Sequence, residues 1–488
     1  MLINKELKIL AKDTVYYGMS NIIPKFLNWI MVFIYTRIFN ENQYGIITEL
    51  YTYASIINVI LTFGMETTLF RFASNKEDNE KIKYYSNVFT IVLIIAIIFY
   101  INCIFFIKNI SSLLKYDKKE IYILLIATIL IIDAISSIPF SYLRLENKIK
   151  KFASIKIYNI VIYIFLNLWI IYVLPIILEK TINYRLKIDV SVVFIANLFA
   201  SCVNLFFLKS EIKKVKININ IDLVKNILKY SLPLLITQLS GILNDGLDRI
   251  LLKIFIKNKD EALYYLGIYG ANLKLALIIV LFTQAFRYAY EPFVFKKAKE
   301  KNSKELYAEI MKAYIIISLF FYLIVNFYID IFKYMEGKKF WVGLNVVPVI
   351  MSSYILSGIA FNLSIWYKII DKTYFGIIIT LTGIFIKVIT NILFIEKYNY
   401  MSCAWSNVLS YLVMIIISYT FEKKYYKIKY DIKSILVIVF VTILLIKINL
   451  IIKNIYKNNL LYEITKIILI LIFILFTYKN LKRKKYES

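Results

Sequence analysis

Apolar runs of about 20 residues recur along the whole chain, separated by short polar stretches rich in lysine. An α-helix rises about 1.5 Å per residue, so about 20 apolar residues cross the roughly 30 Å hydrocarbon layer of a bilayer. Runs of that length repeated from end to end predict an all-α polytopic membrane protein. We place about fourteen spans near 15–38, 45–69, 86–107, 121–143, 154–175, 189–208, 231–254, 264–286, 311–333, 345–367, 375–395, 398–421, 434–452 and 461–479. The second and seventh carry the most polar residues. No connecting loop exceeds about 25 residues, so no folded domain is expected outside the bilayer.

Composition sharpens this picture. Of the 488 residues, 60% are hydrophobic and 19% charged, against about 45–50% and about 25% in a soluble domain. Soluble enzymes, disordered scaffolds and nucleic-acid binders are excluded. The formal charge is +28. With the N-terminus inside, the inside segments hold roughly 35 Lys and Arg, against roughly 16 on the other side. This places both termini in the cytoplasm, as an even number of spans requires, and makes anionic lipid a partner of the basic loops. The first apolar segment runs past Lys25 to Phe39 with no small-residue cleavage site, so no cleaved leader is expected. There are no histidines, which removes His metal sites and Ser-His-Asp chemistry. Cys103, Cys202 and Cys403 lie far apart in apolar stretches and predict neither a disulfide nor a metal site.

The first and seventh spans open alike: YGMSNIIPKFLNWIMVFIYTRIF (17–39) and YSLPLLITQLSGILNDGLDRILL (230–252). Each leads to a second Tyr/Gly start, QYGIITELYTYASIINVILTFG (43–64) and YLGIYGANLKLALIIVLFTQAF (265–286), and then to a Lys-rich stretch. Chance alignment of apolar helices competes with duplication, but the shared order of landmarks favours a parallel repeat. Two six-helix lobes would then occupy 1–215 and 216–430, with an added helix pair and a basic tail in 431–488.

The chain resembles the bacterial oligosaccharide flippases of polysaccharide biosynthesis, the O-antigen transporter type. They belong to the exporter superfamily that also holds MATE drug exporters and lipid II flippases. The resemblance rests on Tyr17-Gly18, Thr36-Arg37, Gln43-Tyr44-Gly45, Gly64-Met65-Glu66 and Arg71-Phe72. In the second half it rests on Pro233, Asp248-Arg249, Tyr269 and Glu291-Pro292. It covers about 300 residues by motif and the last 60 by topology only. The resemblance implies 14 helices, two lobes around a central cavity, and alternating-access transport of lipid-linked oligosaccharide of the undecaprenyl-pyrophosphate type. Polysaccharide polymerases and glycosyltransferases would be its pathway partners.

Charges at membrane depth mark candidate sites, since each costs at least about 2.5–3.5 kcal/mol to insert. Lys25, Lys274 and Lys387 lie near the middle of spans 1, 8 and 11, and Asp133 and Asp245 near the middle of spans 4 and 7. Helical spacing draws polar stripes: Asn21, Lys25 and Asn28; Ser55, Asn58, Thr62 and Glu66; Gln238, Gly241, Asp245 and Asp248; and Thr380, Gly383, Lys387 and Asn391. A stripe of this kind faces another helix or water, never lipid. One reading pairs these ions inside each lobe, for example Lys25 with Asp133. The other makes Lys25, Lys274 and Lys387, with Asn21, Asn28, Arg249 and Arg287, a cationic site for a pyrophosphate head group. Asp133, Asp245 and Glu66 are then candidates to bind a coupling ion. The chain has no G-x-x-x-x-G-K-[ST] phosphate loop, and no cofactor or bound metal is expected. A polytopic polymerase or glycosyltransferase would need a sizeable external loop. A cation-exporting relative would need a cavity dominated by acids.

Overall fold

The computed structural model describes residues 26–27, 29–74, 76–116, 118–184, 188–216, 220–297, 300, 302–370, 372–456 and 460–483. Among them the secondary structure is helical throughout, with no strand. Ten of the described helices are long and apolar enough to cross a bilayer. Lys259–Leu275 and Leu277–Arg287, bent by 53°, make an eleventh if the pair is one span. The polytopic helical fold is therefore as the hydropathy predicts, and among the described residues ten or eleven of the fourteen predicted spans meet that length and composition. Three predicted spans fall below the threshold for separate reasons. The first is described only from Phe26 onward, with a helix at Trp29–Ile38. The sixth forms the short helix Ser191–Phe207. The seventh lies within Ile221–Phe255, a helix of 35 residues whose polar stripe lowers its hydropathy.

Local signals set several helix ends. Asn40 and Gln43 form a capping box: Asn40 Oδ1 accepts from Gln43 N at 2.9 Å, and Gln43 Oε1 accepts from Asn40 N at 3.1 Å. That box starts Glu41–Thr62. The predicted second span then breaks at Phe63 and Gly64, whose φ angles are 49° and 67°, before Met65–Ala73 resumes. The register that put Glu66 on one face with Asn58 and Thr62 does not carry through this left-handed step. Asn220 caps Ile221–Phe255 by accepting from Leu223 N at 3.1 Å. Pro139 and Pro233 sit inside helices that continue past them.

Two compact units make up the chain. One comprises Met1–Met31 with Phe39–Gly267, and the other Val32–Ile38 with Ile268–Ser488. In the first, Glu120–Leu145 packs against both Asp78–Phe105 and Ser191–Phe207. Ile149–Leu168 packs on Ser191–Phe207, and Ile221–Phe255 runs along Glu41–Thr62. In the second, Tyr400–Tyr425 packs against Tyr374–Tyr398 and Val347–Leu363. Ser303–Phe327 carries Ile432–Tyr456 and Leu460–Arg483. Lys312 pairs with Asp431 at 3.2 Å, and Lys453 with Asp330 at 2.7 Å, tying the last helices to this unit. Exposed side chains such as Phe105, Phe385, Leu393, Phe440 and Leu475 lie on long apolar helices. A surface of that kind belongs against lipid.

Two glycines set a close helix contact in the first unit. A Cβ on Gly45 would lie 2.0 Å from Leu263 O, and one on Gly267 would lie 1.9 Å from Glu41 O. Both obstacles are backbone, so the helices must part to admit a methyl group. Gly45→Ala is expected to destabilise by about 1–3 kcal/mol, as overpacking does. Gly241→Ala is the control: its Cβ would meet nothing within 4 Å, and alanine favours a helix by roughly 0.5–1 kcal/mol. Thermal unfolding of the detergent-solubilised protein should separate the two. Equal midpoints would show that the glycine contact does not set stability.

Candidate functional site

In the first unit, Asp133 projects from Glu120–Leu145, and its Oδ1 accepts from Ser201 Oγ at 2.7 Å. Its charged neighbour is Lys156, on Ile149–Leu168. Lys156 also acts electrostatically on Glu66 and lies 4.2 Å over the Phe140 ring. Glu66 Oε2 accepts from Ser141 Oγ at 3.2 Å and pairs with Arg144 at 3.7 Å. Two of the acidic residues singled out from the sequence are thus brought to one lysine that sequence reasoning missed. The signal was present. Lys156, Asn159, Tyr163 and Asn167 fall at i, i+3, i+7 and i+11, a polar stripe on one helical face. Lys25, Asn21 and Asn28 lie outside the described residues.

A second cluster in this unit joins Glu41–Thr62 to the end of Ile221–Phe255. Lys253 Nζ donates to Glu49 Oε2 at 2.8 Å, with side chains 8% and 3% exposed. Tyr116 OH donates to the same oxygen at 2.5 Å. Burial first, and then the Glu49 charge, push the Tyr116 hydroxyl far above the ordinary tyrosine range, so it stays a donor. Arg249 lies a turn away. Its Nη2 donates to Asp245 O at 2.6 Å and its Nη1 to Thr52 Oγ1 at 3.3 Å, and its Nε is 3.8 Å from Asp248 Oδ1. Asp248 is buried, whereas Gln238, Gly241 and Asp245 are exposed. Glu49 and Lys253 were missed because each stands near the end of its span, where a charge normally reaches the interface.

In the second unit, Lys274, Arg287 and Lys387 stand on three helices. Lys387 is 0% exposed, and its Nζ donates to Asn407 Oδ1 at 2.5 Å. Asn407 Nδ2 donates to Tyr269 OH at 3.2 Å. One turn on, Asn391 Nδ2 donates to Ser406 Oγ at 2.8 Å and to Lys387 O at 2.9 Å. The Arg287 guanidinium lies 4.5 Å from the Phe361 ring centroid, with the Lys368 ammonium 5.1 Å from the same centroid. Lys274 is in the last turn of Lys259–Leu275, two residues before the 53° bend at Ala276. There a cation also meets the carbonyls that a helix end leaves unpaired.

These arrangements supply cations, carboxylates and amides inside apolar helices. They suit binding and charge compensation. Among the described residues no group of three or more Cys, Asp or Glu side chains could hold a metal ion.

Residues 10–296 match the polysaccharide biosynthesis protein family. A comparison with curated proteins found no sequence match. Among solved structures, the chain is similar to the lipid II flippase MurJ in an inward closed conformation. The TM-score is 0.74 at 17% identity, over 96% of this chain and 99% of that one. It is also similar to the MATE multidrug transporter DinF-BH (TM-score 0.59, 15% identity, 86% and 97% coverage). An outward-facing MATE-family multidrug resistance transporter of the MOP superfamily matches at TM-score 0.58 and 13% identity, over 85% and 95%. At these identities the structures speak for the fold, and the family rests on the match that covers more than half of the sequence. The chain belongs to the polysaccharide biosynthesis protein family.

Proposed function

We propose that the chain is a flippase. It moves polyprenyl-pyrophosphate-linked oligosaccharide from the cytoplasmic to the outer leaflet by alternating access, for surface polysaccharide synthesis. The observation that carries this reading is the family match over residues 10–296, and the flippase-like fold over 96% of the chain supports it. The spans cross the cytoplasmic membrane with both termini inside, the arrangement that the excess of basic residues in one set of loops favours. The lobes proposed at 1–215 and 216–430 each supply residues that bind the anionic head group. Lys25, Asn21 and Asn28 contribute from one lobe. Lys274, Arg287 and Lys387 contribute from the other, and Arg249 is a further candidate. Undecaprenyl-linked substrate comes from glycosyltransferases, and the product goes to a polymerase.

Without a nucleotide motif, transport draws on a gradient or on consumption of the product. One charge crossing 100 mV is worth about 2.3 kcal/mol. Asp133, Glu66 and Asp245 are the carboxylates proposed to carry a coupled ion.

The MATE-like fold keeps a second reading in play, export of organic cations. Proteoliposomes containing the full chain separate the two. Lipid-linked oligosaccharide loaded in the inner leaflet should become open to an added glycosidase only with protein present, and faster under an imposed potential. Movement of a cationic dye without movement of the glycolipid would reject the flippase reading in favour of the exporter.

A further inference from the structure

The loop between Ser303–Phe327 and Val347–Leu363 buries a whole carboxylic acid. Glu336 is 1% exposed. Both its carboxyl oxygens are buried, and neither has a hydrogen-bond partner among the described residues. The backbone around it is well satisfied. Glu336 N donates to Lys333 O at 3.2 Å, Phe340 N to Gly337 O at 2.9 Å, and Trp341 Nε1 to Lys333 O at 2.7 Å. On either side of Glu336 the loop is clasped to the segment Val32–Ile38. Gly337 N donates to Thr36 Oγ1 at 2.9 Å, and Arg37 Nη2 donates to Tyr334 O at 2.8 Å. The approach is close enough that a Cβ on Gly337 would lie 2.1 Å from Thr36 O.

An ionised carboxylate this deeply buried, with no donor among the described residues, is costly, so the acid stays neutral. Burial pushes the Glu336 carboxyl up to about 8. No charged neighbour contributes to that shift. Arg37 is held by Phe33 O at 2.7 Å and lies over the Phe33 ring. Asp330 pairs with Lys333 at 3.3 Å and with Lys453 at 2.7 Å. Lys338 and Lys339 point to the exposed surface. The remaining titratable groups on the packed elements are Tyr35, Tyr334 and Tyr400.

We propose that Glu336 is a proton-binding site that operates this clasp. Protonated, it packs as a neutral side chain and the loop stays on Val32–Ile38. Deprotonated, the carboxylate must reach water, and residues 333–337 lift away from Thr36 and Arg37. The ligand is a proton from the aqueous phase beside the loop. In the orientation proposed above this is the outer side, so the clasp responds to external pH. The inference requires nothing of the transported substrate, and it survives if the flippase reading fails.

Hydrogen exchange of the full chain in lipid nanodiscs tests it, with rates corrected for the intrinsic effect of pH. Amides 333–341 should lose at least tenfold protection between pH 7 and pH 9, while Glu336→Gln and Glu336→Met stay protected throughout. Thr36→Val, which breaks one clasp bond, should lower protection at every pH. A second readout has a fixed sign. The folded chain keeps a proton that the unfolded chain releases near pH 4.5, so wild-type stability falls as pH rises from about 4.5 to about 8 and levels off above. The midpoint gap to Glu336→Gln should therefore widen over that window. A flat wild-type exchange profile, or an equal loss in the Gln and Met variants, would overturn the proposal.

Discussion

Replacing Lys387 by Gln is expected to abolish glycan transport while the protein still inserts and accumulates. The side chain is completely buried on the stripe that also holds Gly383 and Asn391. Its ammonium is aimed by Asn407, which is in turn held by Tyr269. Removing one partner of a buried, hydrogen-bonded charge contact costs about 2–5 kcal/mol. That corresponds to a roughly thirty- to several-thousand-fold loss. Gln keeps a polar donor on the stripe and loses the charge, which makes it the informative change. Arg should rescue in part. It restores the charge, but the stripe is tight: a Cβ on Gly383 would already lie 2.6 Å from Met414 Sδ. A larger head group there must overpack. The competing reading, that Lys387 only balances a carboxylate, predicts a different pattern. Lys387→Gln would then lower the amount of folded protein, and a matching Asp→Asn change would restore it. The measurement is complementation of a flippase-deficient strain alongside membrane abundance. Full complementation by a stable Lys387→Gln protein would end the claim that this lysine meets the substrate.

The stripe around Lys387 shows what periodicity can reveal. Gly383, Lys387 and Asn391 are buried, while Phe385, Leu393 and Phe394 on the other sides of the same helix are exposed. A 3.6-residue period and a solvent that tolerates no stray charge are enough to sort those faces. Interruptions of a helix were less visible. The bend after Leu275 falls at Ala276 with no Gly or Pro beside it, so the sequence carried no breaker to read. Gly64 did carry such a signal, yet an apolar run through it reads as one span. Partners were least visible, because pairing depends on which helices become neighbours. Lys156 reaches Asp133 and Glu66 through the packing of three helices, and sequence spacing within one helix says nothing of that. The same limit hid the unpartnered acid at Glu336, which is ordinary in sequence and unusual only in its surroundings.

Lys156 also changes what Asp133 can do. A coupling ion bound at Asp133 would feel the charge of a lysine already inside the unit. A tethered ammonium keeps such a site charge-balanced when no ion is bound. Ion coupling through Asp133 is therefore opposed by Lys156 while that lysine stays charged, since two cations near one buried carboxylate repel.

The Glu49–Lys253 pair gives the other large effect, on stability. Glu49→Gln or Lys253→Met alone should each cost about 3–5 kcal/mol, because each leaves its partner charged and buried. The cost has a ceiling, since a stranded lysine can shed its proton rather than stay ionised in an apolar site. The double variant removes both charges and should recover most of the loss. A buried pair exchanged for neutral residues of similar volume is often neutral or better. Tyr116→Phe should cost only about 1 kcal/mol, the net worth of an ordinary hydrogen bond, because Lys253 still satisfies the oxygen that Tyr116 leaves. The three residues come from the Glu41–Thr62 helix, the end of Ile221–Phe255 and the segment before Glu120–Leu145. The pair thus fixes how these pieces meet at one end of the first unit. Thermal unfolding midpoints of the two single variants and the double variant, taken at one heating rate, form a double-mutant cycle. Strong non-additivity, with the double variant close to wild type, is the expected result. If the double variant instead loses the sum of the two single losses, the two side chains do not act on each other and the buried ion pair is not what holds this end together.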